Sequence, residues 1–163
     1  MSQLDASADK PFWEQGNLAP VFEEVTAFDL PVEGAIPPEL NGLYARNGAN
    51  PREGHAGHWF MGDGMLHGVS LSNGKAEWYR NRWIRTPRFN GAKPRPGIPD
   101  IRSSTANTNV IAHAGKIMAL VENALPMMMT RDLDTVGFHD YGGKLDTPFT
   151  AHPKICPTTG ELH

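Results

Sequence analysis

Turn residues recur so regularly from residue 41 onward that long helices are ruled out. Asn-Gly occurs at 41–42, 47–48, 73–74 and 90–91. Both residues tolerate positive φ, which suits the tight type I′ turn joining antiparallel strands. Seventeen glycines and fourteen prolines stand among 163 residues. These two types thus make up about a fifth of the chain, above the usual ~12% but below the ~25–30% of low-complexity sequence. The chain reads as folded, turn-rich and all-β.

Between the turn signals lie short runs of strand-forming residues. Leu66–Leu71 and Ala76–Arg85 flank Ser72-Asn73-Gly74-Lys75 and form a hairpin, with Trp78, Tyr79, Trp83 and Ile84 in its second strand. A second hairpin joins Thr108–His113 to Lys116–Glu122 through Ala114-Gly115, and a third pairs Met127–Arg131 with Thr135–Asp140. Strands at roughly ten-residue spacing point to a sandwich, a barrel or propeller blades. Residues 1–20 read as an N-terminal arm, and residues 21–163 as the β domain. Residues 21–30 are expected to be extended, and Pro31, Pro37 and Pro38 impose an irregular connection. Residues 90–102, rich in Pro, Gly and charge, read as a long surface loop. Phe149–His152 reads as a strand, Pro157-Thr158-Thr159-Gly160 as its turn, and Glu161–His163 as the start of a return strand. A hairpin ending there leaves unpaired backbone groups, so the chain is expected to be the N-terminal part of a longer protein, with strand edges prone to association.

Charge narrows the partners. The net charge is −3 and the isoelectric point is about 6.1, so no basic surplus argues for nucleic acid. The first ten residues are polar and acidic, unlike a secretory signal. The longest apolar run, Ile117–Val121, is far short of the ~18 residues of a membrane span. Cys156 is the one cysteine, which excludes an internal disulfide framework and a cysteine-rich zinc site. A reducing, cytoplasmic compartment fits.

Most chemistry-bearing residues have an ordinary reading. His55-x-x-His58 sits in a Gly/Arg-rich loop and reads as solvated. Gly62-Asp63-Gly64 runs into a strand, whereas a phosphate cradle needs a helix after it. Met127-Met128-Met129 reads as core or pocket lining, and Cys156 is a weak nucleophile candidate. His152 and Glu122 stand apart. Pro153 pushes His152 toward an extended backbone, which suits a rigid metal ligand as well as a satisfied buried histidine. Glu122 ends an apolar strand, so it either faces water or pairs with a group such as a histidine N–H.

Several segments together resemble the carotenoid cleavage oxygenase family. They are Gly16-Asn17-Leu18-Ala19-Pro20-Val21, Glu33 to Gly42 (EGAIPPELNG), Tyr44-Ala45-Arg46-Asn47-Gly48 and Gly62-Asp63-Gly64-Met65-Leu66-His67. In the same order follow Tyr79-Arg80-Asn81-Arg82-Trp83, Ala106-Asn107-Thr108-Asn109, His113-Ala114-Gly115-Lys116, Ala119-Leu120-Val121-Glu122, Phe149 to Lys154 (FTAHPK) and Thr159-Gly160-Glu161. The resemblance runs from about residue 16 to the end. It implies the N-terminal part of a seven-bladed β-propeller with Fe(II) on its axis. Four histidines would hold the iron, and three glutamates would orient some of them. O₂ would split a carbon–carbon double bond into two carbonyl products.

By the same resemblance His152 is the first iron-binding histidine and Glu122 the first orienting glutamate, holding a histidine of another blade. The other three ligands are expected beyond residue 163. His55, His58, His67, His113, His139 and His163 match no ligand motif. Neutral imidazoles suit ferrous iron, and an apolar tunnel suits a polyene substrate. Peripheral membrane contact fits such a substrate. Two departures bear on specificity. Val121 stands where stilbene-cleaving members commonly carry a lysine, and residues 90–100 contain no tyrosine, so both phenol-binding groups are missing. The resemblance therefore points to a carotenoid or apocarotenoid, with a stilbenoid as the alternative. Cys156 replaces an aspartate of the family turn. A chain of only 163 residues, with one ligand of four, is expected to be inactive by itself, a truncated product if it is the whole protein.

Overall fold

The computed structural model describes residues 10–93 and 100–163. Its strands are β1 (Thr26–Ala27), β2 (Gly42–Asn50), β3 (Asp63–Ser72), β4 (Lys75–Trp83), β5 (Asn109–His113), β6 (Lys116–Leu120), β7 (Met127–Met129) and β8 (Thr135–Phe138). They form two antiparallel sheets of four, in the orders β1-β4-β3-β2 and β5-β6-β7-β8. Two short 3₁₀ turns, Phe12–Glu14 and Gly16–Leu18, are the only helical elements among the described residues. None is a helix long and apolar enough to cross a membrane.

The three expected hairpins form, with shifted ends. Asn73 and Gly74 both take positive φ, 47° and 77°, and close the β3–β4 turn. Ala114 and Gly115 do the same between β5 and β6, at 47° and 72°. Asn47-Gly48 is a correction to the turn reading: it lies inside β2. The Asn47 side chain donates to the carbonyls of Ala106 and Asn109, at 2.6 and 3.0 Å. This asparagine therefore fastens one sheet to the entry of the other. Of the extended run expected at residues 21–30, only Thr26–Ala27 pairs as a strand. Phe149–His152 is a second correction. It is an irregular segment that bends at Ala151–His152. Pro148 and Pro153 flank it and lack the N–H groups a ladder needs. The return strand does begin, with Ile155 bridging Leu162. Of the expected surface loop at 90–102, residues 94–99 lie outside the described residues, as do residues 1–9 of the arm.

Alternation along the strands builds two cores. In β6, Ile117 and Ala119 face the seam between the sheets, beside Leu66, Ile84, Met127, Met129 and Leu133. Met118 and Leu120 face the other way, onto Ala151, Phe149 and Leu162. The period of two in β-strands sets both faces at once. The three consecutive methionines split the same way: Met127 and Met129 lie in the seam and Met128 on the opposite face. They are core, as their sequence suggested. A smaller cluster of Met65, Trp83 and Phe89 lies elsewhere on the first sheet, with the guanidinium groups of Arg52 and Arg85 over the Phe89 ring.

Candidate metal centre

The second sheet and the segment after it bring His152 and Glu122 together across 30 residues of sequence. Glu122 follows the end of β6, where Leu120 accepts the Thr108 N–H at 2.9 Å. The segment carrying His152 is tied alongside by two bonds. Phe149 N–H donates to the Ala124 carbonyl at 3.0 Å, and the Asn109 amide donates to the Ala151 carbonyl at 2.9 Å. Ala151 itself is fully buried. His152 therefore stands on an anchored backbone, with its own N–H donating to Thr150 Oγ1 at 3.1 Å.

The imidazole Nε2 of His152 lies 3.1 Å from Glu122 Oε1, and both side chains are open, at 68% and 56% exposure. Thr108 Oγ1 donates to the other carboxylate oxygen at 3.2 Å. One ring nitrogen of His152 is thus engaged with the carboxylate, while Nδ1 makes no hydrogen bond among the described residues. The resemblance assigned Glu122 to a histidine of another blade; here the carboxylate faces His152 itself. A carboxylate against an imidazole fixes its tautomer and raises its basicity, the usual support of a metal-binding histidine.

A neutral imidazole on a fixed backbone fits one corner of an iron site. No group of three or more His, Cys, Asp or Glu able to hold a metal occurs among the described residues. Thr108, Asn109 and Thr150 support the pair, and sequence reading gave them no role. Thr108 and Asn109 lay inside a recognised motif, but nothing local marks which polar side chain reaches 14 or 42 residues along the chain.

Four of the other six histidines have neighbours of their own. His55 Nδ1 meets the buried Glu14 carboxylate at 2.9 Å. His113 Nε2 meets the Gly160 carbonyl at 2.8 Å. His139 packs against Tyr141 with ring centroids 4.3 Å apart and the rings tilted by 48°. His67 Nδ1 lies 2.8 Å from the Tyr79 hydroxyl. Burial, and then the charge of Arg46, hold His67 down to a pKa of about 4, below the ordinary 6.5. The folded state therefore takes up this proton later than the unfolded chain. The His67 contribution is complete above about pH 6.5 and is lost as the pH falls toward 4. In melts across that range, wild type is expected to lose more stability than His67→Gln. Parallel pH profiles would remove the assignment.

Cys156 begins the Pro157–Thr159 turn. Hydrogen bonds from the Thr159 side chain, then from the Thr159 and Thr158 backbone, lower its thiol pKa. The turn is closed by backbone bonds, from the Gly160 N–H to the Cys156 carbonyl at 2.9 Å and from the Cys156 N–H to the Glu161 carbonyl at 2.8 Å.

The motifs are matched by whole-chain likeness. Residues 18–163 match the pattern of the retinal pigment epithelial membrane protein family. A carotenoid cleavage oxygenase of Mycobacterium tuberculosis is 49% identical over 97% of this chain and 33% of its own length. A carotenoid 9,10(9',10')-cleavage dioxygenase of Arabidopsis thaliana is 38% identical over 90% of this chain and 34% of its own. Among solved structures, a lignostilbene dioxygenase of Pseudomonas brassicacearum superposes with a TM-score of 0.73 at 32% identity, over 89% of this chain and 34% of that one. An apocarotenoid oxygenase of Synechocystis gives 0.71 at 28% identity, over 85% and 34%. The chain spans about a third of the length of these relatives. Its two sheets correspond to the N-terminal region of their β-propellers. Collinear motifs, shared fold and extended identity converge: the chain belongs to the carotenoid cleavage oxygenase family, to which the retinal pigment epithelial membrane protein pattern also answers.

Proposed function

We propose that the protein containing this chain is a non-haem Fe(II) dioxygenase. It cleaves a carbon–carbon double bond of a carotenoid or apocarotenoid with O₂, giving two carbonyl products. The observation that carries this reading is the His152–Glu122 pair, set on an anchored segment within a chain 49% identical to a carotenoid cleavage oxygenase. Iron, when bound, supplies the activation of O₂. His152 contributes one neutral donor. Glu122 orients that imidazole and holds its proton away from the donor nitrogen, and Thr108 fixes the carboxylate. The remaining donors come from outside these residues, so the 163-residue chain alone is inactive.

Glu122→Ala in the full-length protein is expected to weaken iron retention and turnover by about 10–100-fold, since an orienting carboxylate acts through its histidine. Iron content by elemental analysis and product formation by chromatography check this. Unchanged values in both would detach Glu122 from the site.

A stilbenoid substrate is the second reading, favoured by the likeness to the lignostilbene dioxygenase and by 33% identity to an isoeugenol monooxygenase of Pseudomonas putida. Val121, largely buried, offers no cation to a phenol. Supplying the iron-loaded full-length enzyme with a carotenoid, an apocarotenoid and a hydroxystilbene separates the two. Cleavage of the stilbene alone overturns the first reading.

A further inference from the structure

Residues 11–27 lie across the first sheet with almost no backbone ladder. Only Thr26 and Ala27 pair with β4, opposite Arg80 and Tyr79. Beyond them the Asn81 N–H donates to the Val25 carbonyl at 3.3 Å, and the other fasteners are side chains. Glu24 accepts the Trp83 N–H at 2.7 Å and pairs with Arg85 at 2.8 Å. Arg82 donates to the Val25 carbonyl and to Thr26 Oγ1, at 2.8 and 2.6 Å. Asn50 accepts the Val21 N–H at 2.8 Å and donates to the Val21 carbonyl at 2.7 Å. Asn81 accepts the Val25 N–H at 2.7 Å and donates to the Glu23 carbonyl at 2.7 Å. Both amide nitrogens also sit 3.4 Å from the sulfur of Met65, which is wholly buried. One thioether thus sets two fasteners.

At the other end the segment holds the sheet's connecting loop in the same way. Glu14 accepts the Ala56 N–H at 2.8 Å, and the Trp13 indole donates to the Ala56 carbonyl at 3.2 Å. The Glu14 carboxylate is only 4% exposed. Apolar burial adds little, because Phe12, Leu18, Val21, Phe22 and Val25 are all exposed. A segment held by directional bonds more than by buried apolar surface belongs to the low-stability end of a fold. A cleft lined by Trp13, Leu18, Trp59, Met61, Arg46 and His67 lies where this segment meets the sheet.

We propose that residues 11–27 form a detachable strap, fastened by Asn50, Asn81, Glu14 and the contacts of Glu24 and Arg82, whose release opens this cleft while both sheets stay folded. Trp13 and Leu18 leave with the strap. The cleft then presents an arginine and a histidine between apolar walls.

Amide hydrogen exchange on the purified protein tests this. The amides of Val21, Val25 and Ala56 should exchange at least about 100-fold faster than those of β3. Asn81→Ala should speed the strap amides by a further factor of about 10 and leave β3 unchanged. Asn81 is fully buried in β4, so Glu14→Ala, outside either sheet, provides the second variant and the same expectation. Equal protection of strap and β3 in the wild type overturns the proposal. So does a parallel rise of strap and β3 exchange in both variants.

Discussion

Replacing His152 with alanine in the full-length protein is expected to reduce bound iron and double-bond cleavage to background. The side chain is 68% exposed, so its removal leaves no core cavity and the fold should persist. On the proposed function, what is lost is one imidazole donor on a backbone pinned by Ala151, Thr150 and Pro153. Ferrous iron held by neutral imidazoles has no anionic ligand to compensate for that loss. Elemental analysis of the purified variant reads the metal, and product chromatography reads the activity. An unchanged melting temperature shows that the effect is local. Wild-type iron content in this variant would place the ligand elsewhere, and the proposed function would lose its main support.

The second large effect is expected in folding. Gly64→Ala should destabilise the protein by about 3 kcal/mol or more, because the new methyl group meets backbone on two sides. A Cβ at Gly64 would lie 2.6 Å from the Ala106 carbonyl oxygen and 2.8 Å from that of Thr105. Neither can retreat easily. Gly64 N–H donates to the Thr105 carbonyl at 2.8 Å, and its own carbonyl accepts the Ile84 N–H at 2.9 Å. This is the place where the first sheet touches the segment that enters the second. For a chain of this size the loss corresponds to a fall of roughly 6–12 °C in Tm. Calorimetry or a circular dichroism melt reads it, and a shift below about 2 °C would mean that the contact yields.

Gly62-Asp63-Gly64 therefore has a structural meaning that its sequence only half revealed. Reading it as a strand entry, and not a phosphate cradle, follows from the apolar alternation after it. The requirement for glycine at 64 comes from the approach of residues 105 and 106, some forty positions away. Gly62 is similar: its φ is 151°, and a Cβ there would lie 3.0 Å from the Asn50 nitrogen.

The hairpins were legible because their causes are local. Asn73-Gly74 and Ala114-Gly115 close turns with two successive positive φ angles, and the strands beside them alternate. β2 was not, because Asn47-Gly48 carries the local signature of a turn. Its side chain is consumed instead by the carbonyls of Ala106 and Asn109, a contact between sheets that no window of neighbouring residues contains. The segment Phe149–His152 looked like a strand by composition, yet Pro148 and Pro153 deny it a ladder, and its anchoring falls to Asn109 and Ala124.

The sequence by itself determined the all-β class, the turns at Asn73-Gly74 and Ala114-Gly115, the family and the two residues worth testing for metal chemistry. Turn chemistry, strand periodicity and motif order are properties of short segments, so they survive in one dimension. Tertiary structure alone decided that His152 and Glu122 face each other, that Thr108 holds the carboxylate, and that side chains more than a ladder fasten the arm. These are distances between residues apart in the chain, set by how each irregular segment is laid against its own sheet. Packing of that kind depends on the whole set of buried faces and is not written in any one of them.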